Sequence, residues 1–426
     1  MSVDQDIARK DLLAACGEVR ETSAADADAA GGADLTGEAG LPAFVAVPGS
    51  TAEAAAVMRV AAEHELAVVV RGGGSRLDWG VPASRCDVVI DTSRMSGVLE
   101  HAAGDLVARL QAGARMGDVA SVLAHAGQEI ALDVPGDATV GGVVASGLAG
   151  PRRLRYGTPR DLLIGITIVR ADGTVAKSGG KVVKNVAGYD LGKLFAGSAG
   201  TLGLITEATF RLHPLPPARA YVTTEYVAVS VACDAVAAAA NSPLVSSAVE
   251  LTRAEPGGPI QVGVLLEGSA DGVGARSMLM ADLLGKADVA ADPPAWWTGA
   301  PRAAAGETLV RVSFWVSALA RVLDAIEGAA AKSGVAPVIE GSAGAGVLYL
   351  RADAASVAVA EFVGALRGAI AGERCAVAVL AAPAGVRAEL AGRGGMHGPV
   401  PGLALMRAVK DQFDPGHRMA PGRFPC

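Results

Sequence analysis

Short hydrophobic runs alternate with amphipathic patterns from residue 43 to residue 213. The segment 51–66 has apolar positions at helical spacing, with Ser50 or Thr51 as its N-cap and Glu53 in its first turn, which predicts a helix. Continuous apolar runs bounded by turn residues predict buried strands, as does the alternating segment 201–213. The run 163–178 has Asp172-Gly173 at its centre, which predicts a β-hairpin with a type I′ turn. A second predicted helix covers 117–126.

The Pro-rich segment PLPP at 214–217 marks the clearest change of pattern in the chain. After it, the predicted strands are 221–231, 261–268, 309–316, 346–352 and 375–382, and the predicted Ala-rich helices are 272–285, 317–332 and 354–371. This order favours an antiparallel sheet covered by helices on one face. The sequence therefore predicts an α+β protein with an N-terminal helix and linker at 1–40, a first domain at 41–216, a second domain at 217–400, and a C-terminal helix and tail at 401–426 that return to the first domain.

Composition places this chain among folded proteins with an unusual use of glycine. Hydrophobic residues make up 51% of the sequence, which excludes an intrinsically disordered chain. Glycine occupies 55 of 426 positions, about twice its average use of ~7%. No Gly-X-Y period is present, which excludes collagen. The net charge of −7 argues against a basic nucleic-acid-binding surface.

The cysteine pattern and the apolar runs indicate the cellular compartment in which the protein is expected. The five cysteines contain no C-x-x-C pair, which argues against disulfide frameworks and against zinc or iron–sulfur sites and favours a reducing cytoplasm. The N-terminus mixes acidic and basic residues without an apolar run, so no signal peptide is expected. The longest uncharged stretch, 235–249, is interrupted by Pro243 and falls short of the ~20 residues of a spanning helix.

Glycine is concentrated in segments next to predicted strands. The first, 71–75, follows the buried strand AVVV and contains three consecutive glycines. Without Cβ atoms the backbone amides can converge on an anion, typically phosphate, although a plain strand-to-loop turn remains the alternative. Neither G-x-G-x-x-G between a strand and a helix nor G-x-x-x-x-G-K-[ST] occurs, which disfavours Rossmann and P-loop sites.

Two further glycine segments follow. The block 135–147 has small residues that suit either close helix packing or close approach to a flat ligand, and the two interpretations are equally supported. The segment 197–206 again places glycine before a strand. A fourth, polar segment covers 180–190 and contains Lys181 and Lys184, which either reach a phosphate or a partner or lie on a solvated face.

Together these motifs resemble the FAD-binding domain of the vanillyl-alcohol oxidase or PCMH-type flavoproteins. The matching motifs are RGGGSRLDWG at 71–80, the block at 135–147, KNVAGYDLGKL at 184–194, GTLGLIT at 200–206 and FDPGHRMAPGR at 413–423. The combination is more similar still to the FAD-binding subunits of bacterial glycolate oxidases, in the glycolate and D-lactate dehydrogenase group. For 217–400 the resemblance extends only to the layout of a cap or substrate domain.

The resemblance implies a PCMH-type domain of two subdomains, a cap-like α+β domain with an antiparallel sheet, and FAD as cofactor. The implied FAD-binding residues are Arg71, Gly72, Gly73, Gly74, Ser75, Arg76, Pro135, Gly136, Thr139, Gly141, Gly142, Ser146, Gly147, Gly200, Gly203 and Ile205. Covalently flavinylated members carry His at the position of Ser75, so noncovalent FAD is expected. Many catalytic members carry Glu at the position of Ala199 and Asn at that of Ala420.

Candidates for substrate chemistry are weaker. The 2-hydroxy-acid dehydrogenases of this group place paired histidines near substrate and metal, whereas the six histidines here are isolated from one another, and no metal site is expected. Among single histidines, His397 between glycines is the leading candidate for a base, with His213 and His417 behind it. Arg302, Arg311 and Arg351 are candidate carboxylate binders. Trp296-Trp297 is interpreted either as a lid or partner surface or as packing.

Three hypotheses about function follow. The resemblance implies an FAD-binding subunit of a glycolate (2-hydroxy acid) oxidase or dehydrogenase that carries electrons from the oxidation of the hydroxy acid to glyoxylate. Its implied partners are a catalytic flavoprotein subunit, an iron–sulfur subunit and a small 2-hydroxy acid, in the cytoplasm or peripherally at the inner face of the membrane through those partners. The alternative is a self-sufficient FAD-dependent oxidoreductase acting on D-lactate or another hydroxylated substrate. A scaffold without flavin is the third hypothesis.

Overall fold

The computed structural model describes residues 3–22, 43–180, 190–372 and 374–423. These residues form two compact units. The first unit consists of the described residues within Met1–Leu148, Thr158–Leu215 and Pro401–Cys426, and the second of those within Ala149–Gly157 and Pro216–Val400. An α+β fold is observed, with a small, mainly parallel sheet and larger antiparallel sheets.

The first sheet of the first unit carries the glycine loop. Its strands are β1 (Val19–Glu21), β2 (Phe44–Ala46), β3 (Val68–Arg71) and β4 (Val88–Asp91), in the order β1-β2-β4-β3. The last three strands are parallel. Two helices, α1 (Val3–Cys16) and α2 (Thr51–Glu63), accompany this sheet. Ser50 is the N-cap of α2, because its hydroxyl accepts a hydrogen bond from the Glu53 amide at 3.1 Å.

The second sheet of this unit is antiparallel, with the order β5-β6-β10-β8-β9. Its strands are β5 (Val98–Ala102), β6 (Val107–Gln111), β8 (Leu163–Val169), β9 (Val175–Gly179) and β10 (Leu204–Arg211). A two-stranded sheet pairs β7 (Gln128–Glu129) with β11 (His213–Pro214). The helices here are α3 (Met116–Ala124) and α4 (Val140–Ser146), with single turns at Pro159–Leu162 and Gly192–Phe195.

The predicted hairpin at 163–178 is present, but its turn differs from the prediction. Strands β8 and β9 pair from Gly165↔Gly179 to Val169↔Val175. Only Gly173 of the two central residues has a positive φ, of 81°. A type I′ turn requires positive φ at both central positions, so the prediction of that turn type was wrong. The Asp172 carboxylate instead accepts a hydrogen bond from the Thr174 amide at 2.9 Å, which stabilises a different turn.

The second unit is an eight-stranded antiparallel sheet with helices packed against it. The strands, in the order β15-β12-β14-β13-β17-β18-β16-β19, are β12 (Ala218–Tyr226), β13 (Ala248–Arg253), β14 (Ile260–Gly268), β15 (Asp288–Ala290), β16 (Thr308–Ser313), β17 (Val338–Gly341), β18 (Val347–Ala352) and β19 (Ala376–Ala381). The helices are α5 (Val229–Asn241), α6 (Ala270–Leu284), α7 (Leu319–Ser333), α8 (Ser356–Ala369) and α9 (Ala384–Ala391).

Two sequence-based boundaries are corrected by the structure. The predicted strand 221–231 ends at Tyr226 and α5 begins at Val229. Ala232, Val236 and Ala239 lie at helical spacing and are buried, and their packing outweighs the strand preference of the valines at the start of the helix. Residues 149–157, predicted to lie in the first domain, group with the second unit. The reason is that Arg152 and Tyr156 in this segment both bond to Glu267 on β14.

The C-terminal helix α10 (Leu403–Phe413) belongs to the first unit, and the tail after it runs beside β3. The Val68 amide donates to the Arg418 carbonyl, and the Ala420 amide donates to the Val68 carbonyl, both at 2.8 Å. The bridge Val68↔Met419 is parallel. The tail therefore covers the edge of β3 that β4 leaves open.

Candidate functional site

The loop from Gly72 to Arg76 leaves the end of β3 and is the centre of the candidate site. Gly74 has a φ of 77°, a conformation that side chains rarely adopt. Within the described part of the chain, the amide N–H groups of Gly72, Gly73, Gly74 and Ser75 donate no hydrogen bond to protein. Backbone donors without a protein partner require water or a ligand, and a run of them forms an anion-binding concavity.

Arg71 closes the strand before the loop with a buried ion pair. Its Nη2 and Nε atoms donate to one oxygen of Asp91 on β4, at 2.6 and 3.0 Å. The other Asp91 oxygen accepts from the Ser93 amide at 2.8 Å. The Arg71 guanidinium thus joins the carboxyl ends of two parallel strands, so its side chain positions the loop. Arg76 at the other end of the loop donates to the Ser75 carbonyl at 2.6 Å and stacks over Trp79.

The second glycine segment touches the first. A Cβ atom on Gly72 would overlap the hydroxyl of Thr139, and one on Gly73 would lie 2.8 Å from the Asp137 carbonyl oxygen. Thr139 is the N-cap of α4 and accepts a hydrogen bond from the Gly142 amide at 3.3 Å. The loop and the start of α4 therefore approach to a distance that only glycine permits.

Other residues predicted in this segment have contacts within the fold. Gly141 approaches Ala112, and its amide donates to the Ala112 carbonyl at 2.7 Å. The Ser146 hydroxyl bonds back to the Gly142 carbonyl at 2.7 Å, and Gly147 ends α4 with a φ of 66°. Pro135 and Gly136 precede the helix, and the Gly136 carbonyl accepts from the Gly117 amide at 2.9 Å. Close packing alone accounts for Gly141, so its contact with FAD stays a prediction.

The third glycine segment is tied to the second and lies beside β3. The amides of Gly197 and Ala199 donate to the carbonyls of Val144 and Ala145, at 2.9 and 2.8 Å. A Cβ on Gly200 would meet Val70 at 4.0 Å. The three glycine segments, far apart in sequence, are thus brought together around the end of β3.

The remaining predicted residues of the third glycine segment contact other residues of the protein. Gly203 leaves little room for a side chain, because a Cβ there would lie 3.1 Å from the Val169 carbonyl oxygen and 3.2 Å from the Phe195 ring. Ile205 is buried in β10 and pairs with Ile168. Packing explains both residues without a ligand, and their contact with FAD stays a prediction.

Both positions where the sequence departs from the resembling family adopt left-handed backbone conformations. Ala199 has a φ of 53° and Ala420 a φ of 44°. Positive φ is uncommon for alanine, and such conformations cluster at ligand-binding sites. They lie on the two turns that flank β3, in the third glycine segment and in the C-terminal tail.

A second feature lies wholly in the second unit, as a polar recess lined by Arg153, Glu250, Glu340, Ser342 and Tyr349, among others. Both glutamates are more than nine-tenths buried. The strand register places Glu340 opposite Tyr349, so the two side chains share one face of the sheet.

Charge in the recess is partly compensated. Arg153 donates to the Tyr349 hydroxyl at 3.0 Å, and its guanidinium lies over that ring. Arg351 lies 3.5 Å from Glu340 and 3.3 Å from Glu307. Burial nevertheless raises the pKa of Glu340, against the opposing effect of Arg351. The recess thus combines a cation, a phenol and a carboxyl group that holds its proton more strongly than usual.

The other candidates from sequence are scattered. His213 lies on β11, His397 is half-buried after α9, and His417 pairs with Asp411 at 3.0 Å. Among the arginines, Arg351 pairs with Glu340 and Glu307, Arg302 is exposed, and Arg311 is an exposed residue of β16. Lys181 and Lys184 lie outside the described residues.

Trp296 and Trp297 pack over the sheet of the second unit. A Cβ on Gly263 would lie 2.7 and 2.8 Å from the two indole rings, and Trp297 meets Tyr221 edge to face at 5.1 Å. These contacts favour the packing interpretation over a lid.

Sequence reasoning missed the residues that join distant segments. Asp91 directly follows the apolar run VVI, and this pattern predicts a polar side chain at the end of a strand. Lys410 and Asp414 stand four apart, a spacing that brings two side chains together on a helix. For Arg153, Glu250 and Glu340, no local signal exists.

Comparison with known proteins agrees with this geometry. Residues 42–179 match the family model described as an FAD binding domain. The loop amides, the glycine approaches and the small sheet all lie in or beside this range. This part of the chain is therefore an FAD-binding domain.

Curated relatives point to hydroxy-acid enzymes. The chain is 34% identical over 202 residues to the glycolate oxidase subunit GlcD of Bacillus subtilis, a match that covers 46% of this chain and 42% of that protein. It is 38% identical over 180 residues to the D-lactate dehydrogenase of Archaeoglobus fulgidus, covering 40% and 39%. The matched part thus spans about two fifths of each relative's length.

Solved structures share the fold over almost the whole chain. p-Cresol methylhydroxylase with substrate bound is matched with a TM-score of 0.75 at 16% identity, covering 99% of this chain and 97% of that one. 6-Hydroxy-D-nicotine oxidase from Arthrobacter nicotinovorans is matched with a TM-score of 0.63 at 19% identity, covering 94% and 96%. In the described part of this chain, no helix has both the length and the apolar character needed to cross a membrane.

Proposed function

We propose that this chain holds FAD noncovalently and is the FAD-carrying subunit of a 2-hydroxy-acid dehydrogenase complex of the glycolate oxidase kind. The observation that carries the proposal is the set of four loop amides, Gly72 to Ser75, that donate no hydrogen bond within the described residues. The similarity to GlcD and to a D-lactate dehydrogenase supports the substrate class.

The loop would hold the pyrophosphate of FAD through backbone donors. The glycines leave no Cβ between the amides and the phosphate oxygens. The ion pair of Arg71 with Asp91 holds the start of the loop in place, and Thr139 keeps the N-terminus of α4 beside it. When bound, FAD supplies the acceptor for a hydride from the carbon that bears the substrate hydroxyl.

Noncovalent attachment follows from Ser75. A serine hydroxyl at this loop position has no ring nitrogen to bond to the flavin. We expect that acid denaturation of the yellow holoprotein, followed by ultrafiltration, releases all flavin absorbance into the filtrate. Flavin that stays with the denatured chain would contradict this attachment.

Substitution at Gly73 tests the loop placement. Gly73→Val should lower FAD occupancy, because the new side chain meets the Asp137 carbonyl and stands among the loop amides. Gly104→Val is the matched control, since no atom lies within 4 Å of a Cβ there. FAD occupancy is measured by the ratio of flavin to protein absorbance. Equal occupancy in the two variants would refute the placement.

The role as a subunit rests on the absence of paired histidines in the sequence. His64 pairs with Asp11 at 2.9 Å and His101 with Gln128 at 2.8 Å, each through its Nε2 atom, so neither is paired with a second histidine. The proposed partners are a catalytic flavoprotein subunit and an iron–sulfur subunit. Cytoplasmic location, with peripheral membrane association through partners, stays a prediction.

Co-purification from the native cell tests the complex. We expect the tagged chain to bring down a second flavoprotein and an iron–sulfur protein, and the isolated chain to retain its flavin absorbance when glycolate is added anaerobically. Rapid bleaching of the isolated chain by glycolate would contradict the role of a dependent subunit.

The similarity to the D-lactate dehydrogenase of Archaeoglobus fulgidus supports an alternative, a self-sufficient FAD-dependent oxidoreductase of D-lactate or another hydroxylated substrate. Anaerobic bleaching of the flavin in the isolated chain by one of a panel of 2-hydroxy acids would support this alternative. The absence of bleaching by every acid in the panel would oppose it.

A further inference from the structure

Lys410 is a buried cation whose three hydrogen bonds join two distant parts of the first unit. Its Nζ atom donates to the Thr201 carbonyl at 2.7 Å, to the Asp414 carboxylate at 2.5 Å and to the Met419 carbonyl at 3.0 Å. Lys410 is 5% exposed and Asp414 is fully buried. Three acceptors saturate the ammonium group, so Lys410 has no donor left for a ligand.

Asp414 organises the tail after the helix. Its second oxygen accepts from the Arg418 amide at 3.1 Å, and its Lys410-bound oxygen also accepts from the Met419 amide at 2.8 Å. The carboxylate therefore fixes the turn that directs the tail along β3. When every hydrogen bond of a buried charge pair is formed, the pair keeps the surrounding backbone in one conformation.

The tail then bonds to the backbone on both sides of the glycine loop. Before the loop, Val68 exchanges hydrogen bonds with Arg418 and Ala420 at 2.8 Å each. After it, Arg423 donates to the Leu77 carbonyl at 2.6 Å and is itself 5% exposed. The ends of the loop are thus anchored by residues 418–423, which the Lys410–Asp414 pair holds in place.

The third contact of Lys410 reaches the third glycine segment. Thr201 is 1% exposed, and its amide and hydroxyl both donate to the Ser198 carbonyl, at 3.0 and 2.7 Å. Gly200, next to it, lies against Val70 of β3. One ammonium group therefore sets the position of this turn relative to the tail.

We propose that Lys410 and Asp414 form a positioning pair that couples docking of the C-terminal tail, residues 414–423, to the binding of FAD. The loop amides converge on the pyrophosphate only when the backbone at Val68, Leu77 and Thr201 is fixed. By thermodynamic linkage, FAD must in turn stabilise the docked tail by the same factor. The proposal rests on the FAD-binding domain alone and is independent of the substrate.

The decisive variant removes both charges. Lys410→Met with Asp414→Asn leaves no unpaired buried charge, whereas Lys410→Met alone leaves the buried Asp414 carboxylate without a cation. We expect the double variant to raise the Kd for FAD at least about tenfold, within the usual range of coupling between sites. The Kd is measured by flavin fluorescence on the apoprotein of the full chain.

A second readout follows the tail itself. In the wild-type chain, FAD should slow amide hydrogen exchange at residues 414–423, and in the double variant this protection should fall. Lys410→Arg, which keeps the charge and donors, should retain a Kd nearer to the wild-type value than the double variant does. A purely local structural role predicts no FAD-dependent change in tail exchange.

A control elsewhere in the first unit separates coupling from general loosening. Leu123→Ala removes a fully buried side chain of α3, outside the core cluster that contains Val68 and Met419. It should lower the melting temperature of the apoprotein without a matching loss of FAD affinity. The proposal is overturned if the double variant binds FAD within about twofold of wild type, the scatter expected for uncoupled sites, or if Leu123→Ala weakens FAD binding equally.

Discussion

A Cβ atom on Gly72 would lie 2.1 Å from the hydroxyl oxygen of Thr139, the group that caps α4. The end of β3 and the start of α4 are therefore packed at the closest approach a backbone permits. The same approach brings two of the predicted cofactor segments into one site.

Gly72→Ala is expected to destabilise the apoprotein by about 2 to 4 kcal/mol, from overpacking and from loss of the cap. In a Thr139→Gly background, where the obstructing side chain is absent, the same substitution should cost under about 1 kcal/mol. Urea unfolding of the four proteins measures this coupling. Gly104→Ala, in open space, is the control. Equal costs in the two backgrounds would show that Thr139 is not the obstacle.

The Arg71–Asp91 pair gives a second prediction. Arg71→Met leaves a buried carboxylate without its cation and should cost about 3 to 5 kcal/mol of unfolding free energy. Arg71→Met with Asp91→Asn removes both charges and should recover part of that loss. The measurement is again urea unfolding of the apoprotein. A double variant as unstable as the single one would mean that the charge pairing is not what Arg71 contributes.

Glu340 predicts a pH dependence of stability. Because burial raises its pKa in the folded chain, the folded state keeps its proton at pH values where the unfolded state has lost it. Stability from this group therefore falls as pH rises from the unfolded pKa through the folded pKa, and then levels off. Glu340→Gln should remove this fall, so its stability relative to wild type should increase with pH over that window. Denaturant unfolding as a function of pH measures the difference, and a constant difference would contradict the raised pKa.

Much of the first unit follows from local sequence. The strand before Gly72 and the glycine loop were predictable. Apolar residues mark the strand, and each glycine of the loop can be recognised in the sequence by itself. The cap of α2 was equally local, since the Ser50 hydroxyl accepts from the Glu53 amide and the Glu53 carboxylate accepts from the Gly49 amide just before the helix. The hairpin was predictable, but its turn type was not, because pairing at Val169 and Val175 decides which residue turns left-handed.

Some strands and helices were missed for a physical reason. Strands β13 and β17 each pair with the next strand in the chain, but they also pair with each other, and this contact between distant segments is not encoded by a local pattern. Helix α5 follows a strand after only two residues, and its first valines have strand preference, whereas the residues that it buries are mostly alanines.

The amino-acid sequence alone predicted the FAD-binding domain, because the glycines that carry the resemblance are visible at local positions without knowledge of the fold. Only the tertiary structure decided which of those glycines serve packing, as Gly141 and Gly203 do against Ala112 and Val169. It also decided the Lys410 network and the recess around Arg153, since Lys410 lies 209 residues from Thr201 and Arg153 lies 196 residues from Tyr349. Contacts across such separations depend on how the whole chain folds, and no local pattern of residues encodes them.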